Sequence, residues 1–172
     1  KDISKYDLII HLAGLSGYPA CEANPGIAEA VNVGSTKNLC NLMSKDQKLI
    51  YASTTYIYEI SKKKINEESP VSPKTLYAKT KLEAEKICID RENTVSLRFA
   101  TIFGASPTMR HDLLLNDFVK KAVNERNIVL FDQNSLRSFI HMEDVMSSYL
   151  LTIKNFSKMR NNIYNIGSDS MN

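Results

Sequence analysis

Residues 6 to 14 read Tyr-Asp-Leu-Ile-Ile-His-Leu-Ala-Gly, a short apolar run closed by two small residues. Such a run, without polar alternation, suits a parallel strand buried on both faces. The pattern returns at 49–52, followed by Ser53-Thr54-Thr55, then at 94–99 and at 163–166. Between these strands the spacing predicts helices. Ile27, Ala30, Val31, Leu39, Leu42 and Met43 recur near helical period over 27–43, and helices are expected over 77–88, 113–123 and 143–153. The stretch 15–26, with Gly17, Pro19 and Pro25, reads as a loop, and 128–131 and 138–140 as strands. Alternating strands and helices imply βαβ units in an α/β, doubly wound parallel sheet, whose ligands gather beyond the carboxyl ends of the strands.

The 172 residues, 43% of them hydrophobic, suffice for one core. A net charge of +3, with basic residues scattered among acids, gives no stripe for nucleic acid or a membrane surface. Cys21, Cys40 and Cys88 lack the spacing of a zinc site or a disulfide framework, so no metal is expected and a reducing cytoplasm is the expected compartment. No apolar run is long enough to span a bilayer. Lys1 is not an initiator methionine and no closing element follows residue 168, which points to an internal piece of a longer polypeptide.

Chemistry concentrates at Tyr77-Ala78-Lys79-Thr80-Lys81. Residues four apart share a helix face, so the Tyr77 phenol and the Lys81 ammonium can meet. A nearby ammonium favours phenolate, and such a pair can exchange a proton with a hydroxyl. Taken alone, the spacing more often describes a solvated helix face, and it is the context that reverses this. Thr54, directly after a strand, adds a second hydroxyl, although a threonine there also serves as a backbone cap.

The ordered segments His-Leu-Ala-Gly (11–14), Asn-Val-Gly (32–34), Tyr-Ala-Ser-Thr-Thr-Tyr-Ile-Tyr (51–58), Tyr-Ala-Lys-Thr-Lys (77–81), Leu-Arg-Phe-Ala-Thr-Ile-Phe-Gly (97–104), Arg-Ser-Phe-Ile-His-Met-Glu-Asp-Val (137–145) and Tyr-Asn-Ile-Gly (164–167) resemble the signatures of the extended short-chain dehydrogenase/reductase family, in its NAD-dependent nucleotide-sugar epimerase/dehydratase group. The resemblance implies a Rossmann-like fold. It assigns Thr54, Tyr77 and Lys81 to catalysis. It places Ala13, Gly14, Leu15, Asn32, Ser53, Tyr77, Lys81 and Phe99 against NAD, with NADP as the alternative, and Thr101, Asn116 and Arg137 against a nucleotide-diphosphate sugar. For Asn32 a helix-to-strand brace is an equal reading, and for Arg137 a surface salt bridge. Arg98 and His11 are read as structural. The resemblance further implies a homodimer, built through the helix after Gly14 and the helix of Tyr77.

By the same resemblance, residues 1–105 correspond to the C-terminal half of the dinucleotide-binding domain and 106–172 to part of a nucleotide-sugar-binding region. The Gly-x-x-Gly-x-x-Gly turn that receives the cofactor pyrophosphate is absent from these residues, as is the acidic residue after the second strand of the fold. The fragment alone is therefore expected to bind cofactor poorly and to be inactive. Thr55 and Tyr56 stand where family 4,6-dehydratases carry an acidic pair, which favours epimerisation over dehydration. A reductase, and a non-catalytic cofactor-sensing protein on the same fold, are the other readings.

Overall fold

The computed structural model describes residues 2–59, 64–130 and 137–168. In chain order its elements are β1 (Leu8–His11), α1 (Tyr18–Ala23), α2 (Pro25–Glu29), a wide π-type turn (Ala30–Gly34), α3 (Ser35–Leu42), β2 (Lys48–Thr54), a 3₁₀ turn (Thr55–Ile57), α4 (Leu76–Ile89), β3 (Thr94–Phe99), β4 (Thr101–Phe103), α5 (Leu114–Glu125), β5 (Phe139–His141), α6 (Met142–Lys154), α7 (Phe156–Met159) and β6 (Asn162–Ile166). Four strands form one parallel sheet in the order β1-β2-β3-β6, and β4 pairs with β5, also in parallel. The parallel neighbours expected from the three apolar runs are thus present.

Because successive strand residues face opposite sides, these apolar runs feed two cores. On one side Ile50, Val95, Leu97 and Phe99 pack against Val145 and Tyr149 of α6 and against Phe156. On the other, Leu49 and Tyr51 pack against Met43, and against Ala84 and Cys88 of α4. Every residue of β3 is buried. Even its charge is enclosed: Arg98 donates through Nε and Nη2 to Glu85, which also accepts from Ser96 Oγ at 2.9 Å. Arg98 Nη1 reaches the Tyr58 hydroxyl, which donates to Asn165 Oδ1 at 3.0 Å. Arg98 is therefore a structural residue, as its position in the sequence suggests.

Three local expectations need correction. The helix expected over 27–43 is present without interruption from residue 25 to residue 42, but a π-type turn at Ala30–Gly34 between α2 and α3 departs from the uniform α period. The wide turn sets Asn32 inward, where its side chain bonds to the loop after β1, and π-type turns inside helices accompany such functional demands. The expected loop at 15–26 instead holds α1 and the start of α2, with a proline near the start of each, where a missing N–H costs nothing. Of the strand expected over 128–131, residues 128–130 have no regular structure, and Phe131 lies outside the described residues. Arg126 ends α5 in the left-handed region, and Ile128, Val129 and Leu130 remain exposed with no strand among the described residues to pair them.

Candidate active site

A cleft of about 1090 Å³ lies beyond the carboxyl ends of β1, β2 and β3 and extends to β4, α5 and α6. Thr54 is the last residue of β2, 3% exposed, and its Oγ1 accepts the Tyr56 N–H at 3.2 Å. It both caps the 3₁₀ turn and lines the cleft. Helix α4 begins beside it because Thr75 Oγ1 caps the Ala78 N–H at 3.1 Å and Glu22 Oε1 accepts the Leu76 N–H at 3.1 Å. That start puts Tyr77 and, one turn on, Lys81 on the cleft wall.

Burial pushes the Tyr77 phenol above its ordinary pKa, while the neighbouring Thr54 and Ser16 hydroxyls pull the value down. Burial outweighs the hydroxyls, so the phenol is raised overall rather than lowered, as the Tyr77–Lys81 spacing alone would suggest. The Lys81 ammonium donates to the Ala52 carbonyl at 2.5 Å and lies over the Tyr51 ring. Burial lowers its pKa to about 8, with Cys88 and Glu85 opposing. Lys81 therefore carries its charge at neutral pH.

Of the residues assigned from sequence, Gly14, Leu15, Ser53, Thr54, Tyr77, Lys81, Phe99, Thr101, Asn116 and Arg137 line this one cleft. Ala13 is exposed beside it. Asn32 is buried behind it: its Oδ1 accepts the Leu15 N–H at 2.7 Å, and its Nδ2 donates to the Leu15 carbonyl at 3.1 Å and to Thr80 Oγ1 at 3.0 Å. Gly14 matches this approach, since a Cβ there would lie 3.1 Å from Asn32 Oδ1. Ser53 Oγ is buried on the cleft wall with no partner among the described residues, a hydroxyl suited to a ligand.

Sequence reasoning missed Ser16, Tyr56, Arg110 and Asp112, all on the cleft wall. The Tyr56 ring meets Tyr77 edge-on with centroids 6.5 Å apart. Arg110 and Asp112 follow a strand end in a loop, and the rule that ligands gather beyond strand ends would have singled them out. The apolar wall formed by Met142, Met146 and Leu150 of α6 was equally unforeseen. Among the described residues, no three His, Cys, Asp or Glu side chains stand together as a metal site, and no helix is long and apolar enough to cross a membrane.

A profile of the NAD dependent epimerase/dehydratase family matches residues 1–167. The chain is 28% identical over 147 residues to a Bacillus subtilis (strain 168) protein described as an uncharacterized UDP-glucose epimerase, covering 80% of this chain and 46% of that one. It is 26% identical over 204 residues to the CDP-paratose 2-epimerase of Salmonella typhi, covering 99% and 60%. In fold it is similar to the UDP-glucuronic acid 4-epimerase of Bacillus cereus solved with UDP-glucuronic acid and NAD, with a TM-score of 0.83 at 22% identity, over 95% of this chain and 54% of that one. The chain thus spans 46% and 60% of the length of these two curated relatives.

Proposed function

Since the chain belongs to the NAD dependent epimerase/dehydratase family, we propose that the protein is a nucleotide-sugar epimerase that oxidises a sugar hydroxyl transiently, at C4, and returns it with inverted configuration. The observation that carries this reading is that Thr54, Tyr77 and Lys81 share one cleft wall at the carboxyl ends of the strands. The residues present fit the nicotinamide half of NAD: the Ser53 Oγ, without a partner among the described residues, the Phe99 side chain and the Lys81 ammonium all line that wall. Bound NAD would supply the hydride acceptor and donor.

In this reading Thr54 Oγ1 and the Tyr77 phenol hold the same substrate oxygen. Tyr77, acting as the phenolate that the positive charges of Lys81 and of bound NAD would favour against the effect of burial, takes the hydroxyl proton as hydride leaves the carbon, and returns a proton when hydride comes back to the other face. Lys81 contacts the nicotinamide ribose and keeps positive charge beside the phenolate. Arg137 and Asn116, farther along the cleft, face the nucleotide diphosphate, where a planar guanidinium pairs well with phosphate oxygens. Thr55 and Tyr56 supply no acidic pair, so the cleft serves epimerisation better than loss of water. To test the reading, the intact protein is incubated with UDP-, dTDP-, CDP- and GDP-sugars and followed by NMR. The reading expects two isomers to interconvert without net change in NADH. Net NADH consumption would support a reductase instead.

A further inference from the structure

Thr80 lies inside α4, 2% exposed, and does not line the cleft, yet its hydroxyl has two partners. Oγ1 donates its single proton to the Tyr77 carbonyl at 3.1 Å and accepts from Asn32 Nδ2 at 3.0 Å. The first bond alone is ordinary, since a threonine readily bonds back into the preceding turn of its own helix. The second reaches a residue 48 positions away and makes the hydroxyl a link between elements.

Asn32 is fully engaged in this link. Its Oδ1 accepts the Leu15 N–H at 2.7 Å, and the two protons of Nδ2 go to the Leu15 carbonyl at 3.1 Å and to Thr80 Oγ1. A side-chain amide has no third proton, so Asn32 keeps no donor for a ligand. Asn32 is itself held, because Thr36 Oγ1 donates to its carbonyl at 2.6 Å and lies 2.8 Å from His11 Nε2. His11, Asn32, Thr36 and Thr80 are at most 6% exposed, so water competes little for these bonds.

The network meets the cleft at two points. At one end it grips both backbone groups of Leu15, in the loop whose Gly14 and Leu15 line the cleft. At the other it grips the carbonyl of Tyr77 itself. The next residue along, Lys81, ties the same stretch of α4 to β2 through the Ala52 carbonyl. The backbone that carries the phenol is thus held from the loop after β1 and from β2.

We propose that Thr80 is a positioning residue for Tyr77: together with Asn32 it locks the first turn of α4 to the loop after β1, and so sets the phenol against the wall formed by Gly14, Leu15 and Thr54. This rests on the reading of Tyr77 as the acid/base. Thr80 touches no substrate, and its contribution is geometric, since a misplacement on the order of 1 Å is enough to slow a reaction about 10²-fold.

Two variants separate the hydroxyl from the space it fills. Thr80→Val keeps the shape and removes both bonds, whereas Thr80→Ser keeps the hydroxyl. With 3,5-difluorotyrosine at position 77 of the intact protein, the ¹⁹F resonance reports the surroundings of the ring without any substrate. Thr80→Val should shift and broaden that resonance, and Thr80→Ser should leave it at the wild-type position. Asn32→Ala should move it as Thr80→Val does, and Thr80→Val should add clearly less in that background, since the two act through one contact. On a nucleotide sugar that the NMR screen shows to be interconverted, Thr80→Val should lower kcat about 10-fold with KM within about twofold, and Thr80→Ser should recover most of the loss. If the valine variant does not fold, Thr80→Ala serves the same comparison. A Thr80 that only stabilised its helix would lower the denaturation midpoint of Thr80→Val and leave the resonance and kcat at wild-type values. That result would overturn the proposal, and so would a Thr80→Ser variant no better than Thr80→Val. The fluorine measurement does not depend on turnover, so if no nucleotide sugar is interconverted the epimerase reading fails while the resonance still decides the role of Thr80.

Discussion

The Lys81 ammonium lies 4.2 Å from the centroid of the Tyr51 ring and donates to the Ala52 carbonyl at 2.5 Å, so one strand end both stacks under the charge and holds it. The face of the Tyr51 ring, itself 1% exposed, offers attraction to the cation, which offsets part of the burial cost.

From this position Lys81→Met should impair two steps in the intact protein. It removes the proposed ribose contact and withdraws positive charge from the neighbourhood of Tyr77, so cofactor affinity should fall and the pH profile of the residual activity should move toward alkaline pH. Isothermal titration with NAD and rates across pH check this. Wild-type affinity together with an unshifted profile would contradict it.

His11 should make the fold sensitive to acid. Its Nε2 lies 2.8 Å from Thr36 Oγ1, and Thr36 spends its own proton on the Asn32 carbonyl, so Nε2–H of His11 is the donor. Burial first, then Lys81, depresses the His11 pKa from 6.5 to about 4. The unfolded chain therefore binds more protons between these values. Stability is complete above about pH 6.5 and declines as pH falls toward 4, by on the order of 3 kcal/mol. Urea denaturation at several pH values should show this slope, and His11→Gln should flatten it.

Glu85→Gln should destabilise the protein by about 3 kcal/mol, because it leaves the guanidinium of Arg98, 4% exposed, without its countercharge. Glu83→Gln, on the exposed face of the same helix, should change stability by less than about 0.5 kcal/mol. Equal midpoints for the two variants in denaturant would contradict the structural role given to the Arg98–Glu85 pair.

Much of the frame was legible in the sequence because parallel strands buried on both faces announce themselves as uninterrupted apolar runs, as at 49–52 and 94–99. The cleft was legible where chemistry follows a strand or sits four residues along a helix, as Thr54, Tyr77 and Lys81 do. What escaped depends on contacts between segments distant in the chain. Arg110 meets Ser16 across 94 residues, and no local pattern reports that. The π-type turn escaped because its cause, the Asn32 bonds to Leu15 and Thr80, is tertiary. The strand expected at 128–131 has apolar residues, but its described part, 128–130, pairs with no strand among the described residues, and period alone does not distinguish these cases.

The most direct measurement of the central claim is turnover and ligand binding by Tyr77→Phe in the intact protein, on whichever nucleotide sugar the NMR screen shows to be interconverted. Phenylalanine keeps the ring and removes the one hydroxyl assigned to move the substrate proton. The account predicts a fall in kcat on the order of 10²-fold or more with cofactor and nucleotide-sugar affinities largely retained. Wild-type turnover by Tyr77→Phe would contradict it.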